Sequence, residues 1–281
     1  MGTASEELIG DLKEMPTTTP PPADLVEVVN SLARSNVEVV TLDDLAAFDT
    51  GRDPLQVVRA LRGRGWLHSI PVNGAWEVFT GFPSPHMAGF TTLRARLRSV
   101  PGTPACIGER SSAQVRNWLR RPTVAAIGYW GKGKLPRCLA EYRVARWQPR
   151  IPLDTIHGLP VWKPETLLAF MGARPARFPW TDIAEWLWEP CEKADTQLLA
   201  AELQGHPPAV WARTAYLLER GECPDTAADL AALGPALGDG PHYFGRRVAA
   251  DKFKPWMPLW SPNYKVVDYL LERNWSYDWN L

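Results

Sequence analysis

The stretch from residue 24 to residue 79 carries helix and strand signals in a fixed order, and this order restricts the fold more than any other feature of the chain. Apolar residues at helical spacing predict a first helix from Asp24 to about Ser35. The β-branched run at 37–40 predicts a short strand, and Thr41 predicts the cap of a second helix that ends near Phe48. This region therefore starts with a helix, a strand and a helix.

Two residue pairs mark the elements that follow. Asp53-Pro54 predicts the start of a third helix, because Asp caps the free amides and Pro has no N–H to lose at the first helical position; this helix should end near Arg64. Asn73-Gly74 lies between apolar-rich segments at 66–70 and 75–79, which predicts a tight β-hairpin. Helix, strand, helix, helix and hairpin is the order of a winged helix-turn-helix, whose second paired helix lies in the DNA major groove.

The third predicted helix separates its residues into two faces. On a helical wheel, Val57, Val58 and Leu61 fall on the side expected to face a core. Gln56 and Arg59 fall on the opposite side, beside small residues at 60 and 63 that let a backbone come close. Arg can bind guanine and Gln can bind adenine, each through two hydrogen bonds. The residues on this face therefore favour a helix that binds base edges in the DNA groove. The alternative is an exposed basic helix in a module used for protein contacts.

Charge is balanced over the whole chain but unevenly distributed along it. The chain has 31 basic and 31 acidic residues. Residues 1–83 carry 6 basic and 12 acidic side chains, residues 84–150 carry 13 and 2, and residues 151–281 carry 12 and 17. Arginine predominates in the middle segment, and its planar guanidinium suits carboxylate or phosphate. Two interpretations stay open: a phosphate-binding surface, or a solvated basic face that also pairs with the acidic flanks.

The sequence predicts three regions and an α+β fold. A flexible Pro-rich leader occupies 1–22, the winged helix-turn-helix domain 23–83, and a mixed α/β, mainly helical domain 84–281. In this last domain, a basic part at 84–150 precedes a helical part at 151–281.

Within the second domain, strands are predicted at 124–127 and 142–145, with Gly131-Lys132-Gly133-Lys134 as the basic tip of a hairpin. This tetrad lacks the spacing and the Ser/Thr of a phosphate loop. A Gly- and Pro-rich loop should precede Trp260. Helices are predicted at 91–100, 113–120, 164–170, 180–188, 196–203 and 208–220, with a last helix carrying Val266 and Val267.

Sequence signatures of catalysis and metal binding are missing. The four cysteines form no CxxC pair and the five histidines are scattered, so we expect no metal and no cofactor. GxSxG, HExxH and GxGxxG do not occur, and we expect no enzymatic activity. The one alternative is a carboxylate cluster of Asp195, Glu202, Asp225 and Asp229. With no signal peptide and no apolar run of membrane-spanning length, a cytoplasmic protein is expected, without a membrane partner.

Five segments of the chain also occur, in the same order, in one known family. These segments are 51–76, 108–118, 158–168, 212–218 and 260–268. They resemble the AbiEi-type antitoxins, including their mycobacterial relatives, and the resemblance covers about residues 24–272. The leader and the aromatic tail at 275–279 lie outside it.

The resemblance implies a DNA-binding antitoxin and transcriptional autorepressor of a bacterial toxin–antitoxin operon active in phage defence. Such a protein binds inverted repeats in the double-stranded DNA of its own promoter and counters a nucleotidyltransferase-like toxin, with antitoxin activity in the second domain. The alternatives are a protein-interaction module, a plain winged-helix regulator without a toxin partner, and, third, a nucleic-acid-modifying enzyme. Carried over onto this sequence, the predicted DNA contacts are Arg52, Gln56, Arg59, Arg62 and Arg64 at the third helix, and His68 and Asn73 in the wing.

Overall fold

The computed structural model of the protein describes residues 18–35, 37–79, 88–119, 121, 123–238, 240–244 and 259–268. Helices and sheets are mixed along the chain, which confirms the predicted α+β class. The chain forms two compact units, Met1–Thr103 and Pro104–Leu281. Most of the predicted leader and the whole tail at 275–279 lie outside the described residues.

The first unit has its elements in the order that the sequence predicts. In its sheet, β3 is central and runs antiparallel to β1 and β2, so that Trp76 lies opposite Val40 on one side and Ser69 on the other. The elements are α1 (Val26–Arg34), β1 (Val39–Thr41), α2 (Leu42–Ala46), α3 (Pro54–Arg62), β2 (Leu67–Ser69), β3 (Ala75–Val78) and α4 (Thr91–Ser99).

The predicted caps of α2 and α3 are both formed. Thr41 and Asp44 make a reciprocal capping box at α2: the Thr41 hydroxyl accepts the Asp44 N–H at 3.3 Å, and the Asp44 carboxylate accepts the Thr41 N–H at 2.7 Å. Asp53 caps α3 by accepting the Leu55 N–H at 2.9 Å. Asp24 does not cap α1, because a 3-10 turn at Ala23–Leu25 precedes this helix and the Asp24 carboxylate binds Arg52 instead.

Helix α4 packs on β1 and β3 of the first unit, whereas the prediction placed it in the second domain. Arg94 forms an ion pair with Glu38 at 2.9 Å. Arg98 donates to the Val39 carbonyl at 2.8 Å and to the Asp44 carboxylate at 2.6 Å. The first compact unit therefore extends to Thr103, beyond the boundary predicted after residue 83.

The second unit contains a five-stranded mixed sheet. Its strand order is β6-β5-β4-β8-β7, with β4 parallel to β8 and antiparallel to β5. The strands are β4 (Ala105–Ile107), β5 (Ala126–Tyr129), β6 (Arg143–Arg146), β7 (Asp154–Ile156) and β8 (Leu159–Val161). The prediction of a hairpin at 124–145 is wrong, because β5 and β6 run parallel and the Gly131–Lys134 tetrad lies in the connection that crosses back between them.

Helices follow this sheet and bury a core that includes Trp162, Trp186 and Tyr216. They are α5 (Glu109–Gln114), which lies between β4 and β5, then α6 (Pro164–Ala173), α7 (Trp180–Ile183), α8 (Trp188–Glu192), α9 (Thr196–Leu203), α10 (Pro208–Arg220) and α11 (Pro224–Leu233). Across the described ranges, no helix is both long and apolar enough to cross a membrane.

Several predicted elements of the second unit differ from the observed ones in type or in bounds. The helix expected at 180–188 is two short helices, α7 and α8, joined by a turn, and α11 lies where a loop was expected. The helix expected from residue 113 is α5, which starts at Glu109 and ends at Gln114, and within it the Ser111 hydroxyl accepts the Ala126 N–H of β5.

The last helix expected near Val266 is also wrong over the described residues. Val266–Asp268 forms β11, which pairs with β9 (His242–Phe244) in parallel and with β10 (Leu259–Ser261) in antiparallel orientation. A short apolar run with β-branched residues fits a helix and a strand equally well. The parallel partner β9 lies more than 20 residues earlier in the chain, so the local sequence does not show this pairing.

Candidate nucleic-acid interface

Helix α3 presents a polar face to solvent because its apolar face is held in a core. Val57, Val58 and Leu61 are buried against residues of α1, β1 and β2. On the other side, three predicted contact residues are exposed: Gln56, Arg59 and Arg62. The start of this face is set locally, since Asp53 caps the helix and Pro54 is its first residue.

The small residues of α3 are only partly on this face. Ala60 is half-buried and packs against the same core as Leu61. Gly63 is exposed and ends the helix, with its N–H donated to the Arg59 carbonyl at 3.0 Å. A ligand can therefore approach the helix backbone closely at Gly63, whereas packing of Ala60 against the core restricts such an approach there.

Two predicted contact residues that flank α3 are held by the segment before α1. The Arg52 guanidinium donates two hydrogen bonds to the Asp24 carboxylate, from Nε at 2.6 Å and from Nη2 at 2.9 Å. Arg64 donates from Nη1 to the Pro20 carbonyl at 2.5 Å, and its own carbonyl accepts the Thr19 N–H at 3.1 Å. These arginines therefore have intramolecular partners, which a phosphate would have to displace or share.

The hairpin separates the two predicted wing residues. Asn73 is exposed in a turn in which the Ala75 N–H is donated to the Val72 carbonyl, and Gly74 has φ +74°. His68 lies in β2, half-buried, with its ring packed edge-on against Phe79 at 5.9 Å. Asn73 is therefore accessible to a ligand, whereas the His68 ring is partly covered by Phe79.

That hairpin is less tight than Asn73-Gly74 predicts. The last strand pair before the turn is Ser69 with Trp76, so the connection is longer than two residues. Asn73 is not among the described residues with positive φ, although a type I′ turn needs positive φ at both central positions.

Most arginines of the basic middle segment bind carboxylates within the protein. Six basic residues of this segment form ion pairs with carboxylates of the same chain, as one of the two interpretations of the segment expects. The pairs are Arg94–Glu38, Arg98–Asp44, Arg110–Asp182, Arg116–Asp154, Arg121–Glu185 and Arg143–Glu109. Although burial alone raises the pKa of Asp154, the hydrogen bonds from Arg116 and Lys163 lower it below its ordinary value.

Glu109 is a buried carboxylate that no sequence motif marks. It is 2% exposed, has φ +48° at the start of α5, and binds Arg177 at 2.6 Å and Arg143 at 3.2 Å. Burial raises the pKa of Glu109, and the charges of Arg177 and Arg143 oppose that rise. The signal present in the sequence is that Glu109 is one of only two acidic residues in the basic segment 84–150; the other is Glu141.

The carboxylates weighed as a catalytic cluster have separate structural roles. Glu202 is fully buried and accepts hydrogen bonds from the chain near Trp147, while Asp195 caps α9. Asp225 and Asp229 are exposed on α11. In the part of the chain that the structure describes, no group of three or more His, Cys, Asp or Glu side chains is placed to hold a metal ion.

Comparisons with known proteins agree with the resemblance found in the sequence. The chain is similar to the crystal structure of the RV2827C protein from Mycobacterium tuberculosis, with a TM-score of 0.72, 27% sequence identity, and coverage of 93% of this chain and 97% of that one. None of the curated proteins matches. Residues 111–220, within the second unit, match the family described as AbiEi antitoxin C-terminal domain, so this part of the chain is similar to the antitoxins that the sequence resembles.

Proposed function

We propose that this protein is the antitoxin of a bacterial toxin–antitoxin pair and represses its own operon by binding promoter DNA. The AbiEi domain at 111–220 supports the antitoxin role. We further propose that the partner is a nucleotidyltransferase-like toxin and that the protein acts without catalysis of its own.

One observation carries the DNA-binding part of the proposal. Gln56, Arg59 and Arg62 are exposed on one face of α3, opposite the buried Val57, Val58 and Leu61. An exposed helix with Arg and Gln on its outer face can enter the major groove and bind base edges. The neighbouring hairpin, with Asn73 exposed, supports a winged helix whose wing lies on the adjacent DNA backbone.

Arg59→Ala tests this proposal. The substitution should weaken binding to the promoter inverted repeats by about 1–3 kcal/mol and relax the preference at one base pair, while binding to a random duplex changes little. Arg34→Ala is the matched control, since Arg34 ends α1, is exposed and pairs with Glu27. Fluorescence anisotropy with both duplexes at moderate salt measures the ratio of the two affinities. Equal binding of the two duplexes by the unmodified protein would contradict the proposal.

A protein-interaction role is the second candidate, and one observation favours it. Leu55, on the first turn of α3, is 47% exposed, and a partner that covered this side chain would remove its apolar surface from water. Co-purification of a partner that Leu55→Ser abolishes, without any mobility shift of the upstream DNA, would favour this function over DNA reading.

A further inference from the structure

The segment before α1 binds an arginine at each end of α3. We call residues 19–24 of this segment the strap. Its Asp24 carboxylate accepts two hydrogen bonds from Arg52, which lies two residues before α3. Its Pro20 carbonyl accepts a hydrogen bond from Arg64, which lies two residues after α3. The strap therefore engages both arginines that flank the helix proposed to read DNA.

The end of the strap near Arg64 is held through its backbone. The Thr19 N–H is donated to the Arg64 carbonyl at 3.1 Å, and the Thr19 carbonyl accepts the Trp66 indole N–H at 2.7 Å. With the bond from Arg64 to Pro20, three hydrogen bonds join residues 19 and 20 to the chain that follows α3. Trp66 packs against the core of the first unit, so its indole donor is held in place.

Three consecutive prolines, at 20–22, stiffen the middle of the strap. Proline fixes φ, and Pro22 has φ −54° and ψ 147°, which is an extended polyproline conformation. Beyond it, the buried Leu25 donates its N–H to the Pro22 carbonyl at 2.8 Å and anchors the strap at the start of α1. Because few conformations are open to this stretch, holding it against α3 costs less entropy than holding a flexible linker.

The strap uses the donors that a phosphate would need. Arg52 directs Nε and Nη2 at the Asp24 carboxylate, and a guanidinium binds phosphate through two hydrogen bonds of the same kind. The two side chains of this ion pair are 36% and 43% exposed, so a phosphate can reach the guanidinium and replace the carboxylate. While the strap is bound, the two charges of the pair cancel, and Arg52 attracts DNA only weakly.

We propose that the strap is autoinhibitory: it occupies Arg52 and Arg64, and duplex DNA must displace residues 19–24 before these arginines bind its phosphates. This inference rests on the proposed DNA binding by α3 and adds a regulatory element to it. Phosphate contacts carry no sequence information, so the strap lowers the affinity for every duplex and leaves base reading by Arg59 unchanged. The chain before the strap, residues 1–17, has four acidic residues and one basic residue, and its net charge repels DNA as well.

Asp24→Asn in the full chain tests the carboxylate end of the strap. Asn keeps the size of the side chain but removes its charge, so Arg52 becomes available to phosphate. Binding to the promoter duplex and to a random duplex should both tighten about two- to fivefold, as expected for the release of a partly exposed ion pair. Fluorescence anisotropy measures both affinities. Asp49→Asn is the matched control, since it removes an equal charge from an exposed side chain three residues before Arg52.

Trp66→Phe tests the other end of the strap. Phe keeps an aromatic ring against the core but lacks the indole N–H that the Thr19 carbonyl accepts. Binding to both duplexes should again tighten, by about twofold or more. Circular dichroism on heating checks that the variants are folded, and damage to the fold would weaken binding rather than tighten it. Folded variants that bind no more tightly than the unmodified protein would overturn the inference, as would equal gains from Asp24→Asn and Asp49→Asn.

Hydrogen exchange of the unmodified protein gives a readout that needs no substitution. Residues 20–22 are prolines and have no N–H, so Thr19 alone reports on 19–22. Promoter DNA should speed the exchange of the Thr19 N–H, because displacement of the strap breaks its bond to the Arg64 carbonyl. Unchanged or slower exchange with DNA bound would contradict the inference. Failure of the proposed function is read separately, as equal binding of promoter and random duplexes by the unmodified protein.

Discussion

Glu202 illustrates how one buried side chain organises the chain around it. Its Oε1 accepts the Trp147 Nε1–H at 2.8 Å, and its Oε2 accepts the backbone N–H groups of Arg150 at 2.8 Å and Ile151 at 3.1 Å. A buried carboxylate is tolerated only where donors replace the lost water. Glu202 therefore ties α9 to the segment after β6.

Removing this carboxylate should be costly, because three donors would lose their acceptor in a buried site. We expect Glu202→Ala to lower the free energy of unfolding by about 3 kcal/mol. Urea denaturation monitored by tryptophan fluorescence measures the loss. Asp229→Ala is the control, since Asp229 is exposed on α11, and its effect should stay within about 0.5 kcal/mol. Equal effects of the two substitutions would show that the carboxylate does not organise this region.

His206 should make the stability of the protein depend on pH. Its ring stacks on Trp147 at 4.8 Å, and burial, followed by the charge of Arg150, lowers its pKa below the ordinary value of 6.5. As the pH falls through that value, the unfolded chain takes up a proton that the folded chain does not, so stability decreases on acidification.

The variant His206→Phe keeps an aromatic ring on Trp147 but cannot take up a proton. The loss of unfolding free energy between about pH 7.5 and about pH 5.5 should therefore be smaller than in the unmodified protein, though not zero, because the pKa of His242 is lowered in the same direction. Urea denaturation at the two pH values measures this difference. An unchanged pH dependence would exclude His206 as its source.

At the scale of elements, two glycines let β4 and β5 pack closely on Trp162. A Cβ at Gly128, in β5, would lie 2.6 Å from the indole nitrogen of Trp162. A Cβ at Gly108, just after β4, would lie 2.7 Å from the Gly128 backbone nitrogen. The first collision involves a side chain, whereas the second involves the backbone and cannot be relieved by a smaller neighbour.

We expect Gly128→Ala to destabilise the protein by about 1–3 kcal/mol through overpacking. Combined with Trp162→Leu, it should cost less than the sum of the two single substitutions, since the smaller side chain leaves room for the new methyl group. Thermal unfolding of the four proteins in this double-mutant cycle measures the coupling. Gly133→Ala, where the added Cβ meets nothing, is the control. Additive effects would contradict the proposed collision.

Elements with local signals were predicted well, and elements that depend on distant partners were not. Asp53-Pro54 starts α3 and Thr41 caps α2, since both interactions close within one helical turn. The direction of β5 against β6 and the strand at Val266 depend on partners elsewhere in the fold. The same distinction applies to the candidate site, where the exposed face of α3 was predicted but the bonds of Arg52 to Asp24 and Arg64 to Pro20 were not.

At the scale of the whole molecule, the first unit ends after α4 because α4 completes its packing. Arg94 and Arg98 bind Glu38 and Asp44, both of which precede α3 in the chain. A fragment 1–103 should therefore unfold cooperatively, whereas a fragment 1–83, which lacks α4, should be less stable or unfolded. Circular dichroism on heating measures both. Equal stability of the two fragments would contradict a structural role of α4 in the first unit.

By itself the sequence determined the starts of α2 and α3, the two faces of α3 and the resemblance of the second unit to the AbiEi antitoxins, because caps, periodicity and motifs act over a few neighbouring residues. The tertiary structure alone decided which basic charges remain available to a partner. Arg110 and Asp182, for example, are 72 residues apart in the chain and yet form an ion pair at 3.0 Å. Such pairs neutralise much of the positive charge of the middle segment, since a guanidinium that already binds a carboxylate must exchange or share that partner before it can bind a phosphate.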